Sequence, residues 1–374
     1  MNSTAQGHHP NHHAPHEPHE PHNVGDSLGG LYRSITQRLA DSGVDNPRLD
    51  ARVLIRHFIG VDDADFIASL DTPIADLMGE AHIAFDAGYQ ALCKAVDRRK
   101  THEPVSKILG IREFYGLEFF VNGDVLDPRA DSETLIDAVL AMVDATEHAG
   151  QTLEHKAEAK HKHHFLRLKK HAYDAVPTYR NAPWRILDLG TGSGCLVVTL
   201  LSLLPNAHGV AVDVSPAALA VAKTNAERHK VADRLELLNG AWLAPVLPNL
   251  EQDSQQDSSL NAAKAAAPRP IFDIVISNPP YIPTADIESL MPEVRDHDPI
   301  LALDGGEDGL DPYRIILQNI AQVIHPQSRI FFEFGTNQSS DIVRLVKDYG
   351  FALHDMRTDL GGINRVVSCA LGAK

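Results

Sequence analysis

A short, mostly apolar run from Ile271 to Ile276 stops abruptly at Ser277-Asn278-Pro279-Pro280-Tyr281, and this junction constrains the fold more than any other stretch. The β-branched run predicts a strand buried on both faces. Two prolines can neither continue a strand nor open a helix interior, so the backbone beyond it is stiff and extended. One amide side chain, one backbone carbonyl without a ladder partner and one aromatic ring are thereby set at the carboxyl edge of a sheet. In open α/β sheets that edge is where ligands bind.

Such a group suits the capture of a planar NH2. The Asn278 side-chain oxygen and the Pro279 carbonyl can each accept one hydrogen from an amide or exocyclic amine, while Tyr281 covers the flat face. An amide nitrogen is a poor nucleophile because its lone pair is delocalised. Two fixed acceptors hold it and turn that lone pair toward an electrophile. The plainer alternative is that the prolines merely end a strand and Tyr281 packs.

The surrounding sequence alternates strands and helices. Ile186-Leu187-Asp188-Leu189 reads as a strand, Gly190-Thr191-Gly192-Ser193-Gly194 as a Gly-rich turn and Cys195 to Leu204 as a helix. Gly209 to Asp213 is the next strand, ending in an acid. Ser215 caps a helix over Pro216 to His229, with proline at its first position. Leu235 to Leu238 is a third strand and leads to Trp242. After the Asn-Pro-Pro-Tyr stretch come a helix over about Pro312 to Ile324, a strand over Arg329 to Phe334, a helix over Asp341 to Tyr349 and edge strands near 351 to 357 and 365 to 371. Regular alternation predicts a parallel sheet covered by helices on both faces.

A Gly-rich turn with an acid about twenty residues on suits a nucleotide-like ligand. The glycines let the backbone approach, and the acid accepts ribose hydroxyls. The spacing Gly-x-Gly-x-Gly lowers the dinucleotide case. Asp188, Asp213 and the Asn-Pro-Pro-Tyr stretch together point to S-adenosyl-L-methionine, although Asp188 alone reads equally as a turn-capping acid.

The 374 residues carry a net charge of −16, which argues against broad phosphate-backbone binding. Three scattered cysteines, Cys93, Cys195 and Cys369, fit a reducing cytoplasm and neither a disulfide framework nor a zinc site. No apolar run is long enough to span a bilayer, and no secretory signal is evident. Residues 1–25 form a His/Pro-rich tail, expected to be disordered with no required metal. Residues 26–100 read as a helical module. Leu28, Leu31, Ile35 and Leu39 form one stripe and Leu54, Ile55, Phe58 and Ile59 a second. A third helix over about Asp76 to Arg99 has Leu77, Ile83, Ala87, Leu92 and Val96 as its buried stripe. Residues 101–130 read as a β-hairpin linker turning near Gly116, and 131–374 as the main domain, opening on a helix from about Ser132 to Val143 with Ser132 as its cap. Two insertions interrupt that domain, at about 146–183 and 249–270. In the first, residues 151–171 hold six Lys/Arg against two Glu, a solvated insertion or a basic contact for RNA or an acidic partner.

Further stretches carry a resemblance. Pro104-Val105-Ser106-Lys107-Ile108-Leu109-Gly110, then Glu113-Phe114-Tyr115-Gly116, then Val125-Leu126-Asp127-Pro128-Arg129-Ala130-Asp131-Ser132-Glu133 closely resemble the HemK/PrmC family. So do Tyr281-Ile282-Pro283 through Glu293-Val294, Ala302 through Asp311, and Asp359-Leu360-Gly361-Gly362 with Arg365. The family's usual Pro-Arg-Pro-Glu-Thr-Glu has lost its second proline here but keeps Arg129 and Glu133. The resemblance covers about residues 30 to 374 apart from the insertions.

That family N5-methylates the glutamine of the Gly-Gly-Gln loop in peptide chain release factors. The resemblance therefore implies an α/β, Rossmann-like class I S-adenosylmethionine-dependent methyltransferase domain behind a small helical domain that helps engage the release factor. It implies a cytoplasmic monomer with a protein substrate and no requirement for nucleic acid. Carried over by motif, Gly190, Thr191, Gly192, Ser193, Gly194, Asp213, Trp242 and Asn278 contact the donor. Asn278, Pro279, Pro280 and Tyr281 hold the glutamine, with Asn278, Pro279 and Tyr281 as the catalytic group. Phe114 either lines the glutamine pocket or packs the hairpin, and Arg129 either contacts substrate or forms a structural salt bridge, as does Glu133. The rival readings are a ribosomal-protein glutamine methyltransferase, a DNA adenine methyltransferase, which wants a basic target-recognition region, and a non-catalytic binder with a vestigial cofactor fold.

Overall fold

The computed structural model describes residues 27–74, 76, 82–151, 178–247 and 271–372. The His/Pro-rich tail and most of both insertions, 152–177 and 248–270, lie outside the described residues. The chain divides into two units, Met1–Thr101 and His102–Lys374.

The first unit contains α1 (Leu28–Asp41), α2 (Pro47–Ile59), α3 (Asp63–Ala68) and α4 (His82–Lys100). Ser27 caps α1, its Oγ accepting the Gly30 N–H at 3.2 Å. Leu28, Leu31, Ile35 and Leu39 are all buried, as are Leu54 and Ile55 of α2 and Leu92 and Val96 of α4. These three stripes form the unit's core. Ala87, expected among the buried residues of α4, is exposed. The face turned toward α2 carries Gly88 instead, where a Cβ would collide with the Phe58 carbonyl. Leu77 lies outside the described residues, as do 78–81; Asp76 is itself helical, and the described helix runs over His82–Lys100.

The second unit opens with α5 (Val105–Leu109) and a hairpin of β1 (Ile111–Phe114) and β2 (Leu117–Phe120). Tyr115 and Gly116 both have positive φ, 53° and 74°, the backbone twist that suits a two-residue hairpin. The hairpin is stitched to the rest of its unit by buried Asn225. That side chain accepts the Phe120 N–H at 2.7 Å and donates to the Phe120 and Ser193 carbonyls at 3.0 and 2.8 Å. Next, α6 (Glu133–Gln151) begins after a short 3-10 turn, Ala130–Ser132, and runs past the expected Val143. Ser132 is the last residue of that turn and stands immediately before the helix.

The remaining elements are β3 (Arg185–Leu189), α7 (Cys195–Leu203), β4 (His208–Asp213), α8 (Pro216–Arg228), β5 (Leu235–Asn239), β6 (Phe272–Ser277), α9 (Pro292–Arg295), α10 (Asp311–Asn319), β7 (Ile324–Glu333), α11 (Ser339–Asp348), β8 (Phe351–Thr358) and β9 (Asn364–Leu371). Seven strands form one sheet in the order β5-β4-β3-β6-β7-β9-β8, parallel except for β9, which runs antiparallel to β7 and β8. One core packs α6 and α7 onto a sheet face through Leu135, Val139, Val197 and Leu200. The other packs α10 and α11 onto the opposite face through Tyr313, Ile316, Ile342 and Val346. This is the class I methyltransferase fold.

Strand β7 starts at Ile324, ahead of the expected Arg329, and α10 ends correspondingly early at Asn319. Between the expected helix and strand, His325-Pro326-Gln327-Ser328 forms a bulge, with register shifting between Phe272 and Ile274 and Ser328 Oγ accepting the His325 N–H. Strand order reverses between β3 and β6. The Gly-rich turn follows β3 and Asn278 follows β6, so both motifs flank that reversal at the carboxyl edge, the topological switch point where such sheets bind ligands. No helix among the described residues is long and apolar enough to cross a membrane.

Candidate active site

Gly190, Gly192 and Gly194 all adopt positive φ, at 74°, 55° and 77°. The turn therefore runs through backbone conformations that a side chain would strain. It is pinned from β4: the Gly190 and Thr191 N–H groups donate to the Val212 carbonyl at 2.9 and 3.1 Å. Asp213 completes the hold, Oδ2 accepting from the Gly192 N–H and Oδ1 from the Ser215 N–H, both at 2.9 Å. Each carboxylate oxygen keeps a second lone pair for a ligand.

A cavity of about 490 Å³ opens over this turn. Its lining includes Gly190 to Ser193, Asp213, Trp242, Asn278, Pro280 and Arg129. Trp242 sits at φ 50°, uncommon for a bulky residue. A Cβ on Gly190 would stand 3.5 Å from its indole, so the bare turn and the ring lie side by side at the cavity. An indole face for a base, a carboxylate for ribose hydroxyls and a bare glycine turn between them fit a nucleoside-bearing methyl donor.

Asp188 lies beneath the turn, fully buried, with Oδ2 accepting from Thr191 Oγ1 at 2.7 Å and Oδ1 without a partner among the described residues. Burial, opposed by the Thr191 bond and reinforced by the Asp213 charge, pushes its carboxyl up to about 7. A raised carboxyl favours the neutral form in the folded state. Its stabilising contribution is complete below the unfolded value near 3.8 and is lost as pH rises through about 7. Asp188→Asn should therefore flatten the fall in stability between about pH 4 and 7. It should also raise stability at pH 8 by about 1 kcal/mol or more, read as the urea midpoint at pH 5 and pH 8.

On the acceptor side, Asn278 lines the cavity and its Nδ2 donates to Ser132 Oγ at 3.2 Å. Ser277 Oγ donates to the Leu189 carbonyl at 2.6 Å and binds the end of β6 to the start of the Gly-rich turn. Pro279 is buried, and Tyr281 packs against Gly335, its carbonyl accepting from Gln338 Nε2 at 2.9 Å. Neither Pro279 nor Tyr281 is among the cavity-lining residues. Nor is Phe114, which is 1% exposed and meets Phe119 edge-on, ring centroids 6.1 Å apart. Glu133 accepts the Tyr115 N–H at 2.9 Å, and Arg129 turns to Asp298.

Asp298 anchors the cavity rim. Its side chain is wholly buried, accepting from Lys107 Nζ at 2.6 Å and from Arg129 Nη2 at 3.0 Å, and the Lys107 side chain is only 2% exposed. These bonds tie the segment before α6 to the Pro299–Ala302 rim. Asp298→Ala would leave the Lys107 ammonium buried without its carboxylate. That change should cost about 3–5 kcal/mol in denaturant unfolding.

Comparison with known proteins fits this geometry. Residues 31–110 match the PrmC N-terminal domain family and residues 181–334 a methyltransferase domain family. A release factor glutamine methyltransferase of Rhodospirillum rubrum is 35% identical over 90% of this chain and 83% of its own length. That of Cereibacter sphaeroides is 36% identical over 91% and 97%. The chain belongs to the release factor glutamine methyltransferase family. It also matches a bifunctional methyltransferase of Rickettsia prowazekii at 31% identity, covering only 57% of that longer protein.

Several residues of this family member's site were not legible as site residues in sequence. Ser132 read as a helix cap, yet its hydroxyl meets Asn278. Glu333 and Asp298 belong to no local motif. The available signal was a carboxylate within Ile330-Phe331-Phe332-Glu333-Phe334, because an acid inside a buried strand is costly and needs a reason.

Proposed function

We propose that the chain transfers the methyl of S-adenosyl-L-methionine to the side-chain amide nitrogen of the glutamine in the Gly-Gly-Gln loop of peptide chain release factors, acting as a cytoplasmic monomer. The observation that carries this reading is the Asn278 amide, which lines the cavity beside the Gly-rich turn with its Nδ2 held by Ser132. When bound, S-adenosylmethionine would supply an electrophilic sulfonium methyl, its S–C bond breaking as the N–C bond forms and the neutral thioether S-adenosylhomocysteine leaving. Gly190 to Ser193, Asp213 and Trp242 would hold the donor, and Asn278 and Pro280 would hold the carboxamide with the Pro279 carbonyl, while Tyr281 packs behind them against Gly335. Asn278 Oδ1 and the Pro279 carbonyl each accept one N–H of the glutamine, so its nitrogen faces the methyl. No strong general base is needed at the outset. The nitrogen becomes acidic only as the methyl arrives, and water can then take the proton.

Alignment is the main contribution. Well-oriented intramolecular reactions gain on the order of 7–11 kcal/mol in the best cases. The two carbonyl acceptors add stabilisation as positive charge grows on nitrogen. The net charge of −16 supports a protein substrate over nucleic acid. The test offers methyl-labelled donor with purified release factor, ribosomal proteins and DNA in parallel. Label should appear on the release factor and vanish when its loop glutamine is replaced, whereas label on ribosomal protein or DNA would overturn the reading.

A further inference from the structure

Glu333 ends β7, and its side chain has no place in the mechanism above. Ser277 pairs with Phe332 across β6 and β7, so Asn278 and Glu333 are neighbours at the ends of adjacent strands. Glu333 is 2% exposed. The Ser132 hydroxyl and the Asn278 amide face its carboxylate as hydrogen-bonding groups, while Oε2 has no partner among the described residues. Its main chain is fixed as well, the carbonyl accepting from Tyr313 Oη at 2.7 Å and the residue pairing with Val366 of β9.

We infer that Glu333 is a positioning residue whose ionised carboxylate sets which way round the Asn278 amide sits, keeping Nδ2 inward and Oδ1 toward the substrate. This inference rests on the methyl transfer proposed above. A carboxylate only accepts hydrogen bonds, so whatever faces it must donate. Ser132 has one hydroxyl hydrogen. Once that hydrogen is given to Glu333, Ser132 Oγ can only accept, and the neighbour able to supply a hydrogen is Asn278 Nδ2, 3.2 Å away. The amide's polarity follows, and Oδ1 is left to receive a substrate N–H. A protonated Glu333 becomes a donor. It can give its hydrogen to Ser132 Oγ, which frees the hydroxyl to donate to the amide oxygen. An amide turned that way presents its NH2 to the substrate NH2, donor against donor.

The surrounding charges fit a group that must ionise at some cost. Burial, countered by Ser132, Arg365 and Asn278 and aided by Asp131, pushes the Glu333 carboxyl up to about 7. Arg365 is held there by Asp359 at 2.8 Å and Asp131 at 3.0 Å. Tyr281, Tyr313 and Cys195 also face this carboxylate, but burial raises all three, so they stay neutral near pH 7. Asp188 titrates in the same range, on the donor side beneath the Gly-rich turn.

The experiment measures labelled-methyl transfer to a release factor from pH 5.5 to 9 for wild type, Glu333→Gln and Ser132→Ala, with donor affinity measured by calorimetry. Wild-type kcat should rise through a single inflection near pH 7. Glu333→Gln should lower kcat at pH 8 by about tenfold or more with donor Kd nearly unchanged, and should abolish the inflection, which separates Glu333 from Asp188. Ser132→Ala should likewise lower kcat at unchanged donor Kd, and it decides the matter if the Gln variant does not bind donor. Wild-type kcat in both variants, or an inflection that survives in Glu333→Gln, would overturn the inference while leaving the reaction intact. A wild-type enzyme that fails to label the release factor would overturn the parent reading and this one with it.

Discussion

Asn278→Ala should reduce kcat for release-factor methylation by about 100- to 1,000-fold, the range found when one preorganised group that stabilises developing charge is deleted. Donor affinity and the unfolding midpoint should stay close to wild type. Asn278 is half-buried, and the bond it loses is one of 3.2 Å to Ser132, while Ser277 keeps the end of β6 tied to Leu189. A folding defect would lower the variant's unfolding midpoint along with its kcat, whereas an effect confined to kcat places Asn278 at the reacting nitrogen. A variant retaining most of its kcat would remove Asn278 from the mechanism.

Asp213→Ala should act on the other half of the reaction, raising donor Kd by roughly 30-fold or more. Two charge-assisted bonds of 2.9 Å vanish, those from Gly192 N–H and Ser215 N–H, and hydrogen bonds to charged groups contribute about 1.5–3 kcal/mol each. The ribose hydroxyls lose their acceptor in the same step. Calorimetric titration with S-adenosylmethionine measures this directly, and an unchanged Kd would show that Asp213 only shapes the turn.

The sheet and its switch point were legible because buried parallel strands are written locally, as apolar runs ending in glycine or proline. Ile186–Leu189 into Gly190 and Phe272–Ser277 into Pro279 are both of this kind. The donor half of the site was legible for the same reason, since glycine spacing and the acid at the end of β4 are features of single loops. What escaped was set by tertiary contact. Ser132 and Asn278 are 146 positions apart, Lys107 and Asp298 are 191 apart, and no local pattern announces either pair. The bulge at His325–Ser328 hid the start of β7 because its residues resemble a turn in isolation. Phe114 shows the converse. Its motif suggested a pocket, but an aromatic ring in a hairpin packed on a sheet is also what a core requires.

Asp188 and Glu333 share a property that bears on design. Each is a buried carboxyl with one oxygen lacking a partner among the described residues, a costly arrangement in a fold that could place an amide there. Sites of this kind give up stability for geometry.

The most direct measurement is fragment-ion mass spectrometry of a purified release factor after incubation with the enzyme and S-adenosylmethionine. A single added methyl on the side-chain nitrogen of the Gly-Gly-Gln glutamine, absent with Asn278→Ala, is the predicted result. A methyl on any other residue, or on that glutamine with Asn278→Ala as readily as with wild type, would contradict it.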